Sequence, residues 1–163
     1  MSIAANIVAA YRTPAPVMRR MLQAGQREDR ALAILVMACV LIFVSSLPEA
    51  FRLAESDPTV PLAARLAAGL FAWLAIMPLA AYAIAALSHI VARTVGGKGN
   101  WYSARLALFW SLLAAAPLWM LATAVQAVTN GPFATAIAAL ALAGFVYIWM
   151  GSLWAAERPE VTA

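Results

Sequence analysis

The sequence predicts an all-α protein: a polytopic membrane helical bundle of four transmembrane helices, preceded by an N-terminal amphipathic helix lying in the membrane interface. Three observations carry this reading. Of 163 residues, 65% are hydrophobic and only 11% charged, with a mean hydropathy of +0.85, whereas a soluble domain is about 45–50% apolar and about 25% charged. Four apolar stretches are long enough to cross a bilayer. The charges gather between them, and none falls between Arg105 and Glu157. The whole chain, 1–163, reads as a single membrane domain.

The N-terminal segment, 1–30, opens with a short apolar stretch from Ile3 to Ala10, broken by Asn6 and followed by Tyr-Arg-Thr-Pro-Ala-Pro. That is not the small-residue cleavage site of a signal peptide, so the segment is expected to be retained. From Pro14 to Gln23 the helical repeat puts Val17, Met18, Met21 and Leu22 on one face and Arg19, Arg20 and Gln23 on the other. Pro14 suits a first helical turn with Thr13 as cap, and Gly25 can end it. The two-faced pattern points to a helix on the membrane surface; a helix packed on protein is the alternative.

The first span is expected over 31–47, about 25 Å of helix. The second, 66–92, is about 40 Å, longer than the roughly 30 Å hydrocarbon core, so it must tilt, bend at Pro78 or reach into the headgroups. The third, 106–128, and the fourth, 133–156, are separated by the turn-forming Thr129-Asn130-Gly131-Pro132. With no charge between them and the flanking residues, this pair reads as a hairpin. Small residues recur at four-residue spacing, at Ala64, Ala68 and Ala72 and at Ala81 and Ala85, which permits close helix approach.

Nine Arg and Lys residues flank one side: Arg12, Arg19, Arg20, Arg27, Arg30, Arg93, Lys98, Arg105 and Arg158. Only Arg52 and Arg65 lie on the other. The positive-inside rule then puts both termini and the second loop in the cytoplasm. Trp101, Tyr102, Trp149 and Trp154 are placed for an aromatic belt on that side. Arg outnumbers Lys ten to one, the bias of GC-rich bacterial coding, so the expected location is a bacterial inner membrane. The basic residues flank spans, which favours anionic lipid over nucleic acid as partner.

Few residues offer chemistry. One cysteine, Cys39, and one histidine, His89, allow no intramolecular disulfide, CxxC pair or multi-histidine metal site, and no cofactor is implied. The run Arg93-Thr94-Val95-Gly96-Gly97-Lys98-Gly99-Asn100 lacks the spacing of a phosphate-binding loop. Gly96, Gly97 and Gly99 read instead as a helix stop and tight turn, with Lys98 offered to a headgroup or partner. His89 lies on nearly the same helix face as Tyr82, and a polar intramembrane residue is a candidate for function. Without a carboxylate in any apolar run, its expected partner is Tyr82, a backbone carbonyl or interfacial water.

The order of features, YRTPAPVMRRML, a first span, a longer second span, then GGKGNWYSARLALFWSLLAAAPLWML, resembles the Yip1-domain family of multi-pass membrane proteins, in particular its small bacterial members. The resemblance rests on Gly96, Gly97 and Gly99, the aromatic Trp101 and the helix containing Pro117, and covers most of the chain. Eukaryotic members of that family contact Rab-type GTPases through a longer N-terminal region with an acidic-Leu-Tyr-Gly-Pro motif and usually have five spans. This sequence has neither that region nor that motif, and four spans. The resemblance therefore implies a fold, with no GTPase partner carried over and no reaction.

The expected function is that of a non-enzymatic membrane protein that organises or accompanies a lipid or protein partner, another copy of itself included. Its expected contacts are Arg19, Arg20, Lys98 and Trp101. No catalytic residue and no metal ligand is assigned. The alternative is a small oligomeric transporter or channel subunit, against which stands the absence of a carboxylate from the apolar runs.

Overall fold

The computed structural model describes residues 2–129 and 131–158, and among them all regular structure is helical. The helices are α1 (Ile3–Arg12), α2 (Pro14–Gln23), α3 (Glu28–Ser56), α4 (Leu62–Phe71), α5 (Met77–Thr94), α6 (Trp101–Val128) and α7 (Pro132–Glu157), with a π-helical turn, Ala72–Ile76, joining α4 to α5. Four continuous helices are long and apolar enough to cross a membrane: Glu28–Ser56, Leu62–Thr94, Trp101–Val128 and Pro132–Glu157. Each runs past its apolar stretch. In α3, Pro48 sits inside the helix and the chain continues helical to Ser56, where Arg52 pairs with Glu49 one turn back.

The second span changes pitch where Pro78 requires it. Proline has no N–H to donate and its ring crowds the carbonyl four residues earlier. The turn ahead of it widens, so that the N–H of Met77 donates to the carbonyl of Ala72, the five-residue reach of a π-turn. Beyond it, Ala81, Ala85 and His89 are the buried residues of α5. Two alanines at four-residue spacing bring the backbone of α5 close to α6.

The core is built around α6. From Tyr102 to Ala116 nearly every residue of α6 is buried, including Leu106, Phe109, Trp110 and Leu113, because α3, α5 and α7 all pack on it. A helix apolar on every side is either interior or facing lipid, and α6 takes the interior place. By contrast α7, equally apolar, leaves Leu140, Val146 and Met150 exposed.

The N-terminal segment is part of this bundle. Ile3–Arg12, where the sequence promised only a short apolar stretch, is a helix started by Ser2, whose hydroxyl accepts from the N–H of Ala5 at 3.3 Å. The hydroxyl of Tyr11 donates to the carbonyl of Ala114 at 2.8 Å, near the middle of α6. Thr13 stands at the N-cap of α2 but makes no side-chain cap; its hydroxyl reaches back to the carbonyl of Ala9 instead. Val17, Met18 and Met21 are buried, with Met18 at 0% exposure, in the cluster that holds Ile148 and Ala155 of α7. The apolar face of α2 is therefore covered by protein, where the amphipathic pattern alone suggested lipid. Gly151 makes that approach possible: a Cβ there would lie 2.5 Å from Cγ of Pro14.

Candidate functional site

Residues distant in sequence meet at one end of the bundle, the basic end. Helix α5 stops in a Schellman turn: the N–H of Gly96 donates to the carbonyl of Arg93 at 3.1 Å and that of Gly97 to the carbonyl of Ala92 at 2.8 Å. Gly96 takes φ +88°, a backbone conformation costly for any residue with a Cβ. The chain then passes over the end of α7. The N–H of Lys98 donates to the carbonyl of Glu157 at 2.7 Å, satisfying an acceptor that a helix terminus otherwise leaves open. Next, Asn100 and Ser103 close a reciprocal capping box that starts α6.

At the centre of this end, Nδ1 of His89 lies 2.7 Å from Oε1 of Glu157. The other carboxylate oxygen accepts the N–H of Gly99 at 3.0 Å. Among the described residues, His89 and Glu157 are the only buried side chains of the His, Asp, Glu, Lys or Arg types. The expectation that His89 turns to Tyr82, a carbonyl or water is thus overturned. Tyr82 packs edge-on against Phe109, ring centroids 5.1 Å apart, with the Arg105 guanidinium 5.7 Å from its centre. The imidazole is covered by Trp101, ring centroids 4.6 Å apart. Glu157 follows the last apolar run, so the absence of carboxylates from the runs says nothing about it. Topology held the signal: the ends of the second and fourth spans must emerge on the same side, so a carboxylate ending one is level with a histidine ending the other.

The three glycines of the turn serve different needs. Gly96 supplies positive φ, whereas Gly97 and Gly99 give room. A Cβ on Gly97 would lie 2.7 Å from Oε2 of Glu157, and one on Gly99 2.6 Å from the carbonyl oxygen of Ala156. Both distances are far inside van der Waals contact, so the clasp between this turn and α7 exists only because two side chains are missing.

The remaining candidates spread around this end. Lys98 and Arg20 are exposed and Arg19 is half-buried, while Trp101 is 48% exposed above His89. Tyr102 is buried, its hydroxyl 3.4 Å from the carbonyl of Gly25, and Trp149 is half-buried. Of the expected aromatic belt, Trp101 and Trp154 are the outward members. Arg105 pairs with Glu28, joining α6 to α3. Among the described residues no three His, Cys, Asp or Glu side chains gather in a group suited to a metal ion. Cys39 is buried in α3. No protein-family model matches the chain, and no curated protein or solved structure matches it.

Proposed function

We propose that this chain is a non-enzymatic, Yip1-type protein of the bacterial inner membrane that organises a membrane partner through its basic end, with both termini and the Gly96–Gly99 turn cytoplasmic. The observation that supports this is the division of labour at that end. The buried His89 and Glu157 are turned inward, occupied by each other and, at the second carboxylate oxygen, by the backbone of the turn. Cations without a carboxylate partner among the described residues, Arg93, Lys98 and Arg158, are turned outward. Exposed cations level with headgroups attract anionic lipid, at about 1 kcal/mol each before screening by salt.

The test is purification of the full chain from mild detergent, with identification of the lipids and proteins that accompany it. Enrichment of anionic phospholipid that falls in Arg93→Glu/Lys98→Glu supports the reading. Proton-coupled flux in proteoliposomes that disappears in His89→Ala would replace it with the transporter alternative.

A further inference from the structure

We propose that the groove between α5 and α7 binds one acyl chain of an anionic glycerophospholipid, with the headgroup held at Lys98 and Arg158. This rests on the reading that the basic end faces membrane lipid, and adds the place where the lipid sits. Both helices lean on α6 and have little contact with each other. Between them lies a groove of about 520 Å³ whose walls include Leu87, Val91, Leu153 and Trp154. That volume falls within the roughly 300–1,000 Å³ of ligand pockets. A second cavity, of about 240 Å³, reaches deeper to Trp73 and Trp119 and shares Ile84 and Trp149 with the first.

The chemistry of the walls selects the occupant. They are apolar except for Ser88, whose hydroxyl is spent on the carbonyl of Ala85, and the mouth, where Glu157 and Arg158 stand. A polar ligand inside would lose its hydrogen bonds to water and gain none, whereas a hydrocarbon chain loses nothing. The groove opens sideways, past exposed Leu87, Val91 and Met150, toward the side where acyl chains lie when these helices span a bilayer. From Arg158 back to Leu142, a wall of the deeper cavity, is about 24 Å of helix at 1.5 Å per residue. One leaflet of hydrocarbon is about 15 Å deep, half of the roughly 30 Å core, so a full-length chain is accommodated.

The charge at the mouth selects the headgroup. Glu157 is the carboxylate there, and its two oxygens are engaged by His89 and the N–H of Gly99. Arg158 lies over the Trp154 ring, 3.6 Å from its centroid. Neither Arg158 nor Lys98 has a carboxylate partner among the described residues, and both are exposed. Arg158 at the mouth, with Lys98 beside it through its backbone bond to the carbonyl of Glu157, matches one negative phosphate above one chain; a zwitterionic headgroup brings its own cation and gains less.

The test uses the full chain in phosphatidylcholine vesicles doped with phosphatidylglycerol whose acyl chains carry bromine, a contact quencher of tryptophan fluorescence. Trp149 and Trp154 line the groove. Quenching is expected to saturate at low mole fraction, to have a smaller saturating part in Trp149→Phe/Trp154→Phe, and to lose that part when the groove is filled by Ser88→Phe or, independently, by Ala92→Phe. Lys98→Glu/Arg158→Glu should move half-saturation at least about tenfold to higher mole fraction. Saturation that follows the charges but ignores both filling variants overturns the groove and leaves the basic-end reading standing. Equal, unsaturating quenching by brominated phosphatidylglycerol and phosphatidylcholine overturns both. A cross-linked dimer that both filling variants dissolve, with no saturating quenching, assigns the groove to a second copy and overturns the lipid proposal.

Discussion

Nδ1 of His89 and Oε1 of Glu157 lie 2.7 Å apart across sixty-eight residues of chain, and this pair closes the end of the bundle. It joins α5 to the last residue of α7, and the same carboxylate draws the backbone of Gly99 onto α7. Removing either side chain leaves a buried polar group of the other without its partner, at a cost of about 1–3 kcal/mol. Glu157→Ala and His89→Ala should each lower unfolding stability in detergent by about that amount. Together they should cost less than the sum of the two, with a coupling of about 1–3 kcal/mol. Strict additivity would show that the contact carries no stability.

The glycine turn separates conformational need from spatial need. Gly96→Ala, at φ +88° with open space around it, should cost about 1 kcal/mol through strain alone. Gly99→Ala should cost more, because its Cβ would displace the carbonyl of Ala156. Lys98→Ala should stay within about 0.5 kcal/mol, as surface substitutions do. Thermal unfolding of the three variants ranks them directly.

The docking of the N-terminal helices is tested at Met18 and Tyr11. Met18→Ala empties a fully buried site and should cost about 2 kcal/mol or more. Tyr11→Phe removes the hydrogen bond to Ala114 and should cost about 1 kcal/mol. A spin label at Arg20 should meet aqueous relaxation agents, and one at Val17 should meet neither aqueous nor lipid-soluble agents. Strong collision with the lipid-soluble agent at Val17 would show that α2 has left the bundle.

Topology is tested by reporter fusions. The nine-to-two division of basic residues predicts Lys98 on the cytoplasmic side and Asp57 on the other. A cytoplasmic signal at Asp57 would reverse the orientation.

Asp57, which follows α3, gives the loop to α4 an acid sensitivity. Hydrogen bonds from the Thr59 hydroxyl and N–H, and then from Arg65, hold its carboxyl below the ordinary aspartate range. A depressed folded pKa contributes stability above the unfolded value of about 3.9, lost as pH falls through the folded value. Exchange protection of the Thr59 amide should therefore drop in strong acid after allowance for the intrinsic rate, and Asp57→Asn should show no such drop.

Much of the architecture was legible in the residues. Apolar length located the four spans, Pro78 marked where the second changes pitch, and Pro14 and Gly25 bracketed α2. What could not be read was which side of each span turns inward. In a soluble protein, polar and apolar faces alternate because water and core differ; in a membrane, lipid and core are equally apolar, so the periodicity that would point to the interior disappears. Met18 illustrates this at the surface: an apolar face suits lipid and α7 alike, and only the room left by Gly151 shows that α7 receives it.

The sequence by itself determined the chemistry available: one histidine, one cysteine, spans without charge, and a glycine-rich turn beside a lysine. Tertiary structure alone decided that His89 and Glu157 are partners, that Gly97 and Gly99 are glycines because Glu157 approaches them, and that α5 and α7 stand apart beside α6. The reason is that each depends on the distance between segments far apart in the chain. Local propensity and helical periodicity carry information over one or two turns, whereas such a distance is set by how small and large side chains interlock across α6, a property of the packed bundle as a whole.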